Sequence, residues 1–128
     1  MEIFNQEEKE VFNFFKNFEL NDITEISVIP LKSNNGYYTN FYFYTKKHQR
    51  IKFKYEENKE VIEIDVLESG EYVGEMSLLK NKNNKKKKEW MNSIWKQFSN
   101  YTSLRIRLMF INKENPWKWK TQFTIKGE

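Results

Sequence analysis

The sequence contains no cysteine and no alanine, and its 128 residues include one histidine, two prolines and four glycines. The lack of cysteine excludes disulfides, thiol nucleophiles and thiolate metal sites from this chain. The single histidine, His48, lies in the polar turn KKHQR and is interpreted as a surface group. No P-loop, dinucleotide-binding or nucleophile-elbow motif is present. We therefore predict no catalytic residue, no metal site and no cofactor.

Long apolar runs are missing as well. No stretch approaches the ~18 apolar residues that a membrane-spanning helix requires. The first ten residues, MEIFNQEEKE, are acidic where a signal peptide would be basic and then apolar. We accordingly expect a cytoplasmic protein with no membrane contact, folded as a single domain over residues 1–128.

Aromatic residues are abundant instead, at 17% of the chain, and they recur with helical spacing in two segments. Each segment carries apolar residues at intervals of three and four, which is the pattern of an amphipathic helix. The first predicted helix spans residues 5–19 and the second spans residues 89–99. Their apolar stripes are Val11, Phe14, Phe15 and Phe18 in the first, and Met91, Ile94, Trp95 and Phe98 in the second.

Between these helices, alternating apolar and polar residues predict an antiparallel meander of four to five strands. The predicted strands are residues 23–31, 37–45, 51–55, 62–66 and an ambiguous fifth at 72–79. Pairing the apolar faces of the third and fourth strands places Lys52 and Lys54 opposite the row of Glu63 and Asp65. Such cross-strand pairs contribute about 0.2–1 kcal/mol each, so we interpret these charges as structural.

Alternation returns near the C-terminus and predicts a β-hairpin, with residues 104–110 and 117–126 as its strands. Burying the apolar side chains of both strands collects five cations on the opposite face, with no acidic residue in either strand. These cations are Arg105, Arg107, Lys118, Lys120 and Lys126. The positive charge of this basic face could be neutralised in two ways, by the chain's own acidic section or by an external acidic protein or polyanion.

The predicted fold is therefore α+β: an N-terminal helix, the meander, a second helix and the C-terminal hairpin. We expect both helices to pack on one face of the sheet. In the strand at 37–45, burying Phe41 and Phe43 places Tyr38, Tyr42 and Tyr44 on the other face. Tyrosines exposed on a sheet are good contact residues, although these three could instead lie beneath the second helix.

Charge is unevenly distributed along the chain. Residues 1–79 hold nine basic and fifteen acidic residues, whereas residues 80–128 hold thirteen basic and three acidic ones. The lysine-rich tract at 80–88 has two interpretations, a solvated linker or a non-specific phosphate-binding segment. It contains no aromatic residue or arginine, and lysines at a helix N-terminus oppose the dipole. We therefore expect a linker, with the helix starting near Glu89, and little loss of stability when Lys85 to Lys88 become serine.

Small size, lack of cysteine, an AT-rich coding bias and the lack of motifs together resemble small immunity proteins, antitoxins and phage counter-defence inhibitors. The resemblance is one of general form and assigns no role to any residue. It implies a non-enzymatic protein that occupies a macromolecular partner. The basic hairpin face implies a protein partner with an acidic surface or a nucleic-acid-binding groove.

Two alternatives remain open. The first is direct binding of nucleic acid by the C-terminal hairpin and the lysine tract, which would weaken steeply with salt. The second is a small-ligand carrier, in which a curved sheet wraps around a helix to form an aromatic pocket.

Overall fold

The computed structural model describes residues 6–34, 36–56, 61–67, 76–80, 85–109 and 123–126. For residues 6–7, 33, 76–80, 103–109 and 123–126 the description covers the backbone alone. The helices in these ranges are α1 (Gln6–Lys16) and α2 (Lys85–Met109), with a 3-10 turn at Leu20–Asp22. The strands are β1 (Ile23–Ser33), β2 (Gly36–Thr45), β3 (Arg50–Glu56), β4 (Val61–Leu67), β5 (Met76–Lys80) and β6 (Phe123–Lys126).

The strands form one antiparallel sheet in the order β5-β4-β3-β2-β1-β6. Strands β1 to β5 are neighbours in chain order, so the predicted meander is confirmed. The ambiguous fifth segment is a strand over 76–80, while residues 72–75 lie outside the described residues. The α+β class, the N-terminal helix and the second helix are confirmed as well.

Both helices pack against the same face of this sheet. Phe15 of α1 lies 6.1 Å from Phe53 of β3, measured between ring centroids. Trp95 of α2 lies 5.2 Å from the same ring and 4.6 Å from Phe41. The members of both predicted apolar stripes are buried or packed against the buried cluster, as expected. The first helix is shorter than predicted, because α1 ends at Lys16 and Phe18 follows it. This aromatic core fixes which face of the sheet remains uncovered by α1 and α2.

The start of α2 differs from the prediction. The helix begins at Lys85 rather than near Glu89, so residues 85–88 form its first turn instead of a linker. Lys87 donates hydrogen bonds to both carboxylate oxygens of Glu8 in α1, at 2.8 and 2.7 Å. This buried carboxylate offsets the repulsion between the lysine and the positive helix end. The contact joins residues 79 positions apart, which local pattern does not reveal.

The C-terminal hairpin stays a prediction, because most of it lies outside the described residues. The backbone of residues 104–109, which we assigned to its first strand, continues α2. Leu104 and Leu108 fit helical spacing as well as strand alternation, so the sequence pattern supports either structure. Residues 110–122 lie outside the described residues. Strand β6 pairs with β1, from Glu25↔Lys126 to Val28↔Phe123.

The register of β3 and β4 follows the predicted charge pairing. Lys52 lies opposite Asp65 and Lys54 opposite Glu63. One detail differs, because the register shifts between Lys54 and Tyr55. As a result Val61 takes a fully buried position, and Ile62, predicted on the apolar face, is half-buried.

Candidate binding face

The face of the sheet opposite α1 and α2, here called the open face, carries four aligned rows of side chains across β1 to β4. These rows follow from the strand register. The rows are Glu25–Tyr44–Arg50–Leu67, Ser27–Tyr42–Lys52–Asp65, Ile29–Asn40–Lys54–Glu63 and Leu31–Tyr38–Glu56. Strand β2 thus presents mainly tyrosine, β3 mainly cations and β4 carboxylates with one leucine.

The three tyrosines predicted as contact residues all lie on the open face. Tyr38, Tyr42 and Tyr44 are half-buried, and α2 lies on the opposite side of the sheet, against Phe41. Neighbouring side chains of the sheet contribute to this burial. The Nζ atom of Lys54 lies 4.5 Å from the centroid of the Tyr38 ring. The Cζ atom of Arg50 lies 5.7 Å from the centroid of the Tyr42 ring. These cation–π contacts restrict the rings and lower the side-chain entropy that binding would cost.

The charges of the open face are largely matched within it. Lys52 donates to Glu63 at 3.3 Å. Arg50 Nη2 lies 4.0 Å from Asp65 Oδ2, a separation that is too long for a hydrogen bond. Among the described side chains of β1 to β4, the face has three cations and four carboxylates. The backbone register also places Lys80 of β5 opposite Glu63 and Lys126 of β6 opposite Glu25.

Three buried polar atoms among the described side chains have no hydrogen-bond partner: Asn40 Oδ1, Arg50 Nε and Asp65 Oδ1. All three belong to the open face. The Asp65 side chain is 8% exposed, and Asn40 is 7% exposed. Buried polar groups without partners destabilise a fold, so their concentration on one face needs an explanation other than stability.

Burial raises the pKa of the Asp65 carboxyl above its ordinary value, and Glu63 acts in the same direction. Arg50 and Lys52 oppose this shift without cancelling it. Burial also raises the pKa of the Tyr44 hydroxyl. At neutral pH Tyr44 therefore remains protonated and can donate a hydrogen bond.

A cleft of about 590 Å³ opens at the end of the open face, beside the turn that joins β2 to β3. Its lining residues are Thr24, Glu25, Tyr44, Thr45, Lys46, His48, Gln49, Arg50 and Leu67. Tyr44 and Leu67 supply apolar walls. The Arg50 side chain is 33% exposed, although its Nε is buried.

The turn is held by one threonine. The Thr45 hydroxyl accepts hydrogen bonds from the backbone N–H groups of Lys47 and Gln49, and it donates to Gln49 Oε1 at 3.0 Å. His48 closes the turn with a φ of 60°, in the left-handed region. The polar turn predicted around His48 is confirmed, and its residues line one side of the cleft.

The other predicted contact residues are not tested in the same way. Arg105 and Arg107 lie in the helical backbone of α2, and Lys126 lies in β6. The side chains of these three lie outside the described residues, as do Lys118 and Lys120 entirely. The period-two alternation behind their shared face does not apply to a helical backbone. Their role in binding a partner stays a prediction.

Sequence reasoning missed Asn40 and Arg50. Asparagine is depleted in strands, so an Asn in the middle of an aromatic strand was the available signal. Tyr37, which is 53% exposed at the end of the β1–β2 hairpin, was also not singled out. Arg50 could not be identified from its neighbours, because its importance depends on Tyr42 and on Asp65 in other strands.

Neither a protein-family model, nor a curated protein, nor a solved structure matches this chain. Among the helices described, none combines the length and the apolar character needed to cross a membrane. In the same part of the chain, no three side chains of the His, Asp or Glu type gather closely enough to hold a metal ion. The candidate function is therefore inferred from the geometry of the open face.

Proposed function

We propose that this is a non-enzymatic cytoplasmic protein that binds another protein through the open face of its sheet. Its action would be that of an inhibitor, of the kind represented by immunity proteins, antitoxins and phage counter-defence proteins. The observation that carries the proposal is the position of Asn40 Oδ1, Arg50 Nε and Asp65 Oδ1 on this single face. Groups that lower stability without a local benefit are typical of surfaces kept for function.

The tyrosines support the same proposal. Tyrosine offers a large contact area and loses little side-chain entropy on binding, which is why it is frequent at interface hot spots. Here Tyr38 and Tyr42 are already held by Lys54 and Arg50. A preorganised face of this kind binds with a smaller entropic cost than a flexible one.

The charge pattern favours a protein partner over nucleic acid. Binding to nucleic acid depends on cations that are free to replace condensed counterions along the phosphates. On the open face Lys52 is paired with Glu63, and the cations of β3 lie beside carboxylates of the neighbouring strand β4. A protein surface can match alternating charges, whereas a polyanion would meet repulsion from the carboxylates.

Nucleic acid remains a second candidate because tyrosines and cations lie side by side on β2 and β3, as they do on stacking platforms. Lys85 and Lys86 at the start of α2 are exposed and add positive charge elsewhere. A salt titration separates the candidates. Duplex binding must weaken with a log–log slope near −0.9 per phosphate contacted.

The small-ligand alternative receives less support. The aromatic rings between the helices and the sheet lie 4.6–6.3 Å apart, which are the separations of a filled core. Displacement of an apolar dye would test this alternative directly.

The test of the proposed function is capture of partners from the native host, with and without nuclease, followed by mass spectrometry. The wild-type chain is compared with a double variant, Tyr38→Ser with Tyr42→Ser. Tyr37→Ser is the matched control, because it removes an exposed tyrosine that lies off the open face. We expect the double variant to lose a nuclease-resistant partner that the control retains.

Two results would count against the proposal. Equal capture by the double variant and the control would show that the open face is not the binding surface. Loss of every partner on nuclease treatment would favour nucleic acid instead. Arg105→Glu with Arg107→Glu, run in parallel, tests the predicted contribution of the C-terminal basic residues.

A further inference from the structure

We propose that the cleft beside the β2–β3 turn receives an acidic side chain of the protein partner, with Arg50 as the group that binds its carboxylate. This inference rests on the proposed function and specifies the chemistry of the partner at one point of the open face. It follows from the accessibility of Arg50, the state of its hydrogen-bond donors and the lining of the cleft.

Accessibility separates Arg50 from the other two unpartnered groups. Asn40 and Asp65 are more than nine-tenths buried, so a partner could reach them only after neighbouring side chains move. Arg50 is one-third exposed, and it lines the cleft. It is therefore the group that a partner meets without any rearrangement of this chain.

The guanidinium of Arg50 is oriented but its hydrogen-bonding capacity is not used. Its charged contact among the described residues is Asp65, 4.0 Å away, and Nε has no hydrogen-bond partner. Its Cζ lies over the ring of Tyr42, 5.7 Å from the ring centroid, and this contact restricts the group. Arginine presents its donors in a rigid fork that matches a carboxylate, so an oriented guanidinium with free terminal donors is suited to bind one.

The lining of the cleft fits the rest of an acidic side chain. Tyr44 and Leu67 provide apolar surface for its methylene groups. Lys46 also lines the cleft, so two cations face one carboxylate, that of Glu25. A volume of about 590 Å³ accommodates one side chain together with the adjoining backbone. Charge complementarity at this position favours a glutamate or an aspartate of the partner.

The test uses the full ¹⁵N-labelled chain, titrated with the peptide acetyl-Gly-Glu-Gly-amide and monitored by NMR. The control probe is acetyl-Gly-Gln-Gly-amide, which has the same shape without the charge. We expect the Glu peptide alone to shift the Arg50 side-chain resonance and the amides of Tyr44 and Gln49 in a saturable manner. Arg50→Gln should weaken this binding by about tenfold or more, the loss of one charge-assisted hydrogen bond. Lys47→Gln, an exposed lysine outside the cleft, should leave it unchanged.

Three results would overturn the inference: no saturable shift, an equal shift with the Gln peptide, or undiminished binding by Arg50→Gln. Inorganic phosphate at equal ionic strength is a further arm, and tighter binding of phosphate than of the Glu peptide would reject a protein carboxylate as the occupant. Failure here is distinguishable from failure of the proposed function. If partner capture depends on Tyr38 and Tyr42 but not on Arg50, the protein-binding face stands and the carboxylate assignment falls.

Discussion

Lys87 donates to both carboxylate oxygens of Glu8, at 2.8 and 2.7 Å, and so joins the first turn of α2 to α1. The side chains of the pair are 13% and 10% exposed, so both charges are largely removed from water. A single lysine of a tract that looks solvated in the sequence is therefore a structural residue. We therefore expect the lysines of this tract to contribute unequally to stability.

We expect Lys87→Met to lower the free energy of unfolding by about 3 kcal/mol, because it removes the ammonium group that donates to both oxygens of the largely buried Glu8 carboxylate. Lys86→Met is the matched control, since Lys86 is exposed in the same turn, and it should change stability by less than about 0.5 kcal/mol. Urea unfolding followed by circular dichroism measures both values. Equal effects of the two substitutions would contradict a structural role for Lys87.

The double variant Glu8→Leu with Lys87→Met extends the first prediction. Replacing both members of a buried ion pair by apolar residues is often close to neutral, since no uncompensated charge remains. We therefore expect it to recover most of the stability that Lys87→Met loses. A double variant as unstable as the single one would show that Lys87 acts through packing rather than through its charge.

The raised pKa of the Asp65 carboxyl leads us to expect that the free energy of unfolding depends on pH. The folded-state pKa of this carboxyl is raised, chiefly by burial, so the protonated form favours folding. That contribution is present below the unfolded pKa of about 3.9 and is lost as the pH rises through the raised folded value. The stability of Asp65→Asn relative to wild type should therefore increase with pH across this window and level off above it. Urea unfolding at closely spaced pH values measures the difference, and a decrease with pH would show that the Arg50 ion pair outweighs burial.

The positive φ of His48 leads us to expect that replacing this residue by glycine stabilises the protein. A left-handed conformation costs an L-residue about 1–2 kcal/mol, and glycine avoids this cost while losing more entropy on folding. His48→Gly should therefore raise the unfolding free energy by about 0.5–1 kcal/mol. Lys47→Gly, at the preceding position, should lower it. A melting temperature for His48→Gly at or below that of wild type would refute the interpretation of the turn.

Two asparagines provide a contrast between unused and used polar groups. Asn40 Oδ1 has no partner, whereas Asn92 Oδ1 accepts a hydrogen bond from the Val61 N–H at 3.2 Å. Asn40→Val should raise the unfolding free energy by about 1 kcal/mol, and Asn92→Leu should lower it by a similar amount. Thermal unfolding of the two variants measures the contrast. A loss of stability in Asn40→Val would remove the argument that the open face is kept for binding.

Much of the fold could be predicted because its signals are local. Phe41 and Phe43 face the core, and Lys52 and Lys54 oppose Asp65 and Glu63, as alternation requires. The apolar stripes of α1 and α2 were equally readable, since each places its aromatic residues at helical spacing. The tyrosines of the open face follow from the same alternation.

Other features could not be predicted because they depend on contacts distant in the chain. The bulge beside Tyr55 exchanges the positions of Val61 and Ile62, and it is decided by how β3 and β4 fit together. The role of Arg50 depends on Tyr42 and Asp65, which belong to different strands. Residues 104–109 satisfy both periods, so local sequence did not choose between strand and helix.

Outside residues 104–109, the amino-acid order by itself determined which of the described segments are helical or extended and which side of each is apolar, because periodicity is a property of neighbouring residues. Tertiary structure decided where α2 begins, which strand β6 joins and where polar atoms are left without partners. The physical reason is the same in each case. A cost that is unfavourable locally, such as a lysine at the positive end of a helix, is accepted when a distant group such as Glu8 compensates for it.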